Sequence, residues 1–181
     1  MKLSCSIVIV AVLAGSAFSA EPVVSGVQVG QKPGPYSFLV ATGPDRGKPT
    51  CYICEQGDKP TAVVFVRSLS PASGKLMAAF DAEMAARSEA GFKAWLTLAT
   101  ETADLDTLAK WAGGQGLKSV VVGAFEDTDG PPAYKIARDA DITVMLFVKK
   151  KVVANFAFRE GELTEKSLKE IVKAVPLPVA K

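Results

Sequence analysis

The sequence predicts an α/β sandwich, and three observations carry that prediction. Apolar runs of strand length alternate with segments whose apolar residues recur at helical spacing. The last two runs are separated only by lysines, so the chain ends in a hairpin and a helix. The 161 residues that follow the first 20 of the 181 suit one domain with a real core.

Those first 20 residues, "MKLSCSIVIVAVLAGSAFSA", carry one lysine, an apolar run from Ile7 to Leu13 and then small residues. This is the layout of a cleavable secretory signal, with a cut after Ser19 or Ala20, and the run is too short to span a bilayer well. The expectation is an exported protein, periplasmic or extracellular, without a membrane span after cleavage. The expected parts are the leader (1–20), an amino-terminal hairpin extension with a C-x-x-C loop (21–60), the core (61–176) and a tail (177–181).

Within the core, "TAVVFVRS" (61–68) has the continuous apolar character of a strand buried on both faces. Residues 73–88 follow as a helix, with Leu76, Phe80 and Met84 on one side and Gly91 beyond its end. "FKAWLTLA" (92–99) is the next strand. Leu105, Leu108, Trp111 and Ala112 give helical spacing in 104–112, with Asp104 as cap and Gly113, Gly114 and Gly116 as the stop.

"SVVVGAF" (119–125) is a third strand, and the acidic loop "EDTDGPP" leads to a short helix expected around Tyr134 to Arg138. "ITVMLFV" (142–148) and "VVANFAF" (152–158) pair as an antiparallel hairpin across Lys149 to Lys151. Three lysines in a row admit an anion-binding reading, but a hairpin tip must be polar in any case. The last helix, 164–175, takes Thr164 as cap, sets Leu168, Ile171, Val172 and Val175 on one face, and stops at Pro176.

Composition excludes much. The chain contains no histidine, so neither Ser-His-Asp nor Cys-His nucleophile systems nor an H-E-x-x-H zinc site can be assembled. Haem attachment fails because Glu55 follows Cys54. After loss of the leader, 20 basic residues face 19 acidic ones, a balance that points to no nucleic-acid partner. Asp127 and Asp129 lack the ligand spacing of a calcium hand, and no pattern calls for a cofactor or a resident metal.

Two cysteines remain, Cys51 and Cys54 in "PTCYICEQGDKP", and export makes an intramolecular disulfide chemically available. They precede a strand, with a polar loop and no expected helix at Cys51. Three readings stay open. A C-x-x-C ring removes little chain entropy and tends to exchange readily, which suits a redox pair. Against this, Lys48 and Lys59 are balanced by Glu55 and Asp58, so no evident field lowers a thiol pKa, and a clip pinning an irregular loop explains as much. Paired thiolates also suit Cu(I) or half of a zinc site.

The order of elements, with three local strings, resembles the thioredoxin superfamily, and more narrowly the extracytoplasmic redoxins of the peroxiredoxin and TlpA/ResA kind, over about residues 27–176. "VQVGQKPGPYSFLVATGPDRGKP" is similar to the redoxin amino-terminal hairpin, and the helix and strand at 104–125 resemble the redoxin insertion. "VVFVRSLSPASGKLM" resembles the strand, active-site turn and first helix of a thioredoxin. The resemblance implies a three-layer sandwich with a central mixed sheet and puts Ser70-Pro71-Ala72-Ser73 on the family's own C-x-x-C. It also puts Thr143 where the superfamily carries a cis-proline; a trans bond is expected before threonine.

A serine hydroxyl at that turn stays protonated, so neither disulfide exchange nor peroxidase chemistry can run at Ser70 or Ser73. Ser70 as helix cap and Pro71 as first helical residue describe an ordinary helix start, and the turn with Thr143 is a candidate docking surface. The expected chemistry is thiol-disulfide exchange or electron relay at Cys51 and Cys54, with protein thiols or disulfides as partners. The alternative is a non-catalytic binding protein in which the pair is a structural bond.

Overall fold

The computed structural model describes residues 21–176; the expected leader and tail lie outside them. The chain runs β1 (Phe38–Val40), β2 (Pro49–Thr50), α1 (Tyr52–Gln56), β3 (Thr61–Val66), α2 (Pro71–Ala86), β4 (Lys93–Ala99), α3 (Leu105–Gly114), β5 (Val121–Phe125), β6 (Ile142–Val148), β7 (Lys151–Phe158) and α4 (Glu165–Lys173). The strands form one mixed sheet in the order β2-β1-β5-β4-β3-β6-β7.

The parallel strands β3, β4 and β5 are joined through α2 and α3, and both helices pack on the same face of the sheet, where α4 joins them. Leu76, Met77 and Phe80 of α2, Leu108 and Ala112 of α3 and Ile171 of α4 close that core against Val64, Leu96, Val122 and Val144. The opposite face has no long helix. It is covered by an aromatic layer from the amino-terminal segment, α1 and the crossover 126–141, in which Tyr36, Phe38, Tyr52 and Tyr134 pack on Phe65, Trp95 and Met145.

Alternation along β3 explains the division: Ala62, Val64 and Val66 face the helices, Val63 and Phe65 face the aromatic layer, and all are buried. The expected amino-terminal hairpin forms as β1 and β2, and it joins the main sheet because β1 pairs antiparallel with β5.

Several boundaries move, each for a local reason. The helix expected around Tyr134 to Arg138 is only a 3-10 turn, Pro132–Tyr134. The Arg67 guanidinium claims the carbonyls of Thr128, Ala137 and Ala140, and this fixes the crossover in an irregular path. Helix α2 starts at Pro71 and ends at Ala86, ahead of Gly91, while α3 carries Gly113 and Gly114 inside its last turn. The β6–β7 turn is tighter than three lysines: Lys149 and Lys150 alone occupy it, both left-handed at φ 52° and 58°, the conformation a two-residue hairpin needs to match strand twist.

One carboxylate organises the entry to β5. Asp81 Oδ1, on α2, accepts backbone N–H bonds from Lys118 (3.1 Å), Ser119 (2.7 Å) and Val120 (2.8 Å). Replacing Asp81→Ala leaves three donors without their shared acceptor and is expected to lower stability by about 1–3 kcal/mol. Urea unfolding checks this; an unchanged midpoint would show that water substitutes fully for the carboxylate.

Candidate functional site

Where the sequence suggests a loop, the cysteines sit on a short helix. Tyr52, Ile53 and Gln56 are buried at positions that share one side of a helical turn, and Gly57, at φ 61°, stops it. Five residues are too few to hold a helix by propensity, so tertiary contacts must do so. The Tyr52 hydroxyl donates to Asp45 Oδ2 at 3.0 Å, and its ring lies 5.8 Å from those of both Phe38 and Trp95. Gln56 Nε2 donates to the Gly91 carbonyl at 2.6 Å, tying the helix to the entrance of β4.

Cys51 stands at the amino-terminal boundary of α1 and Cys54 one turn on, joined as a disulfide with Cα atoms 5.3 Å apart. The two cysteines are not equally exposed. Cys51 is half-buried against the aromatic layer, whereas Cys54 is exposed.

Below them, Trp95 Nε1 donates to the Tyr36 hydroxyl at 2.7 Å, and Tyr36 shares a hydrogen bond with Thr97 at 2.9 Å. Burial pushes the phenols of Tyr36 and Tyr134 far above the ordinary tyrosine value. Burial, reinforced by the Asp45 carboxylate, does the same for Tyr52. All three stay protonated at neutral pH, so the layer is a rigid floor and supplies no base.

Cys54 borders an open groove of about 280 Å³, lined also by Pro33, Gly34, Pro35, Ile53 and Lys150. Three chain segments meet there, each held by backbone bonds. The Tyr134 hydroxyl donates to the Gly34 carbonyl at 3.0 Å. Gly30 and Gln31 bond both backbone groups of Val152 at 2.8 and 2.9 Å, and Lys149 N–H donates to the Asp58 carbonyl at 3.1 Å. No signal in the sequence joins these segments: Lys150 is 96 positions from Cys54 and reaches it only because the hairpin tip folds back onto the turn after α1.

The serine turn lies elsewhere. Cys51 and Cys54 precede β3 and Ser70 follows it, so the six-residue strand separates them by about 20 Å, at about 3.3 Å per residue. Ser70 caps α2 as expected and Pro71 begins it. The cap is reciprocal: Ser73 N–H donates to Ser70 Oγ at 3.2 Å, and Ser70 N–H donates to Ser73 Oγ at 3.0 Å. A shallow pocket of about 260 Å³ beside this turn includes Pro71, Ala72, Leu163 and Leu168.

Thr143 does not join that surface. It is buried on the aromatic face beside Phe65, opposite α2, and shares a 2.7 Å hydrogen bond with Ser25. No described peptide bond is cis, so the bond before Thr143 is trans. In the acidic loop, Asp129 forms a two-point pair with Arg138, which holds its carboxyl below the usual range, and Asp127 accepts from the Asp129 N–H. Among the described residues, no group of three or more Cys, Asp or Glu stands close enough to hold a metal ion. Nor is any described helix long and apolar enough to cross a membrane.

No protein-family model matches the sequence, and no curated protein aligns with it. Solved structures do match. A Bacteroides thetaiotaomicron protein provisionally assigned as a protein disulfide isomerase superposes with a TM-score of 0.63 at 19% identity, over 82% of this chain and 89% of its own. A Chlorobium tepidum protein provisionally assigned as the thiol:disulfide interchange protein DsbE gives 0.57 at 15% identity, over 83% and 99%. The peroxidoxin BcpB of Mycobacterium tuberculosis gives 0.56 at 14% identity, over 82% and 98%. The fold is therefore thioredoxin-like, with Ser70 and Ser73 at the head of its first long helix.

Since the Ser70 and Ser73 hydroxyl oxygens lie 3.3 Å apart, the backbone there suits a cysteine pair. In a chain carrying Cys51→Ser and Cys54→Ser, the double change Ser70→Cys and Ser73→Cys is expected to form a disulfide under mild glutathione oxidation. Mass spectrometry would register the loss of two hydrogens; a persistent dithiol would show that the turn has drifted from redox geometry.

Proposed function

We propose that this is an exported thiol-disulfide exchange protein working through Cys51 and Cys54, not through the turn its fold usually employs. The observation that carries the reading is the asymmetry of the pair: Cys54 is an exposed residue on the rim of a mainly apolar groove, and Cys51 is half-buried against the aromatic layer. An incoming thiolate reaches one sulfur and displaces the other, and the groove gives the attacking chain a place to rest. The leader-like residues 1–20 support export, and the provisional assignments of two structural neighbours, disulfide isomerase and thiol:disulfide interchange, support the chemistry class.

In the reductive direction, a partner thiolate attacks Cys54 Sγ. The new S–S bond forms as the Cys51–Cys54 bond breaks, and Cys51 leaves as a thiolate that takes up a proton. The partner's second thiolate then attacks its own bridged sulfur and releases Cys54. The partner dithiol thus becomes a disulfide, and two electrons and two protons end on the cysteine pair. Run backwards, Cys54 attacks a partner disulfide and Cys51 resolves the mixed bond.

Thiol trapping across a glutathione and dithiothreitol series measures the equilibrium potential. A value between about −120 and −230 mV, in the range of exchange catalysts, is expected. The double change Cys51→Ser and Cys54→Ser should then abolish reduction of insulin disulfides. A potential below about −300 mV would instead identify a structural bond and make the protein a binding domain.

A further inference from the structure

One lysine lines the groove at Cys54 and others lie on the segments that meet there, and none of them is ion-paired among the described residues. Lys150 lines the groove beside Cys54, Lys149 and Lys151 flank it at the hairpin tip, and Lys32 precedes the groove-lining Pro33. All four are exposed. The tip is anchored by the Lys149 N–H to Asp58 carbonyl bond at 3.1 Å and by the Gly30 and Gln31 bonds to Val152, so these charges are held beside the groove.

The opposing charges nearby are Glu55, next to Cys54, and Asp58, both exposed and likewise without an ion pair. With Lys59, exposed beside Asp58, the segments that meet at the groove carry five lysines against two carboxylates. The floor between them is apolar: Pro33, Pro35 and Ile53. A surface of this kind selects polypeptides by charge through the rate of encounter.

We infer that the groove is a docking site for an acidic partner polypeptide: one whose reactive cysteine carries an apolar neighbour for the Pro33, Pro35 and Ile53 floor and Asp or Glu residues for the lysine rim. The inference rests on the exchange activity proposed above and names the partner's chemistry. The covalent step is the same: the partner's thiolate bonds to Cys54 Sγ, Cys51 leaves as a thiolate, and a second partner thiolate completes the two-electron transfer.

The test uses the oxidised mature protein with three reductants: dithiothreitol, a cysteine peptide with Leu and Glu flanks, and its counterpart with Leu and Lys flanks. Loss of the protein disulfide is followed by acid quench and mass spectrometry. At low salt the acidic peptide is expected to react about three- to tenfold faster than the basic one, with the gap closing as ionic strength rises. The double change Lys149→Glu and Lys150→Glu should erase or reverse the preference, and Lys32→Glu, away from the hairpin turn, should reduce it. Dithiothreitol, itself attacking as a small thiolate anion, gives each protein its own reference rate, and the peptide preference is read as the ratio of acidic to basic peptide within one protein.

Equal rates for the two peptides, with dithiothreitol active, would overturn the acidic-partner inference and leave the exchange reading standing. A disulfide inert to all three reductants would overturn both.

Discussion

Everything in this molecule depends on one strand being buried on both faces. β3 is apolar from Ala62 to Val66, hydrogen-bonded to β4 on one side and β6 on the other, and each of its large side chains contributes roughly 1.5–3 kcal/mol of burial. That strand sorts the rest of the chain into two layers of different character. Mainly aliphatic side chains on three helices, with Phe80 among them, close one face, and hydrogen-bonded aromatics close the other. It also sets the distance between the cysteine pair and the serine turn, because α1 feeds into its beginning and α2 leaves from its end.

The aromatic layer does for α1 what length cannot. A five-residue helix has no stability of its own, yet Tyr52 and Ile53 are clamped into a layer whose own polar atoms are all satisfied, Trp95 to Tyr36 to Thr97. Cys54 therefore rides on a rigid support. The serine turn is rigid for another reason: Ser70 and Ser73 spend their hydroxyls on each other's backbone N–H groups, so the reciprocal cap that stabilises α2 occupies the donors and acceptors that a ligand would use.

Much of this was legible in the sequence, and the exceptions have physical causes. Long apolar runs such as residues 142–148 announce their strands because both faces are buried, and Asp104, Thr164 and Ser70 announce their helices because capping is local chemistry. α1 escaped because Tyr52, Ile53 and Gln56 span barely one turn, too little for a period to show. The crossover escaped because its shape is set by Arg67, about 60 positions or more from the carbonyls it holds. The groove at Cys54 escaped for the same reason in stronger form: its walls come from residues 33–35, 53–54 and 150 and meet only in the folded chain. Thr143 shows the converse, a position aligned by resemblance to a binding role that Ser25 and the aromatic face have buried.

The edges of the sheet carry a consequence for the protein's behaviour in company. A seven-stranded sheet normally offers its outermost strands as templates for another chain. Here one edge is β2, two residues long and including a proline that has no N–H to give. The other is β7, where Gly30 and Gln31 take up both outward backbone groups of Val152, while the Asn155 side-chain amide holds the same amino-terminal segment through the Ser25 and Val27 carbonyls. The amino-terminal segment thus works as a selvedge over the start of β7, taking up backbone groups that another strand would need there. Both margins are thereby shortened as templates: a second chain finds no N–H at Pro49 and no free backbone group at Val152 with which to extend the sheet.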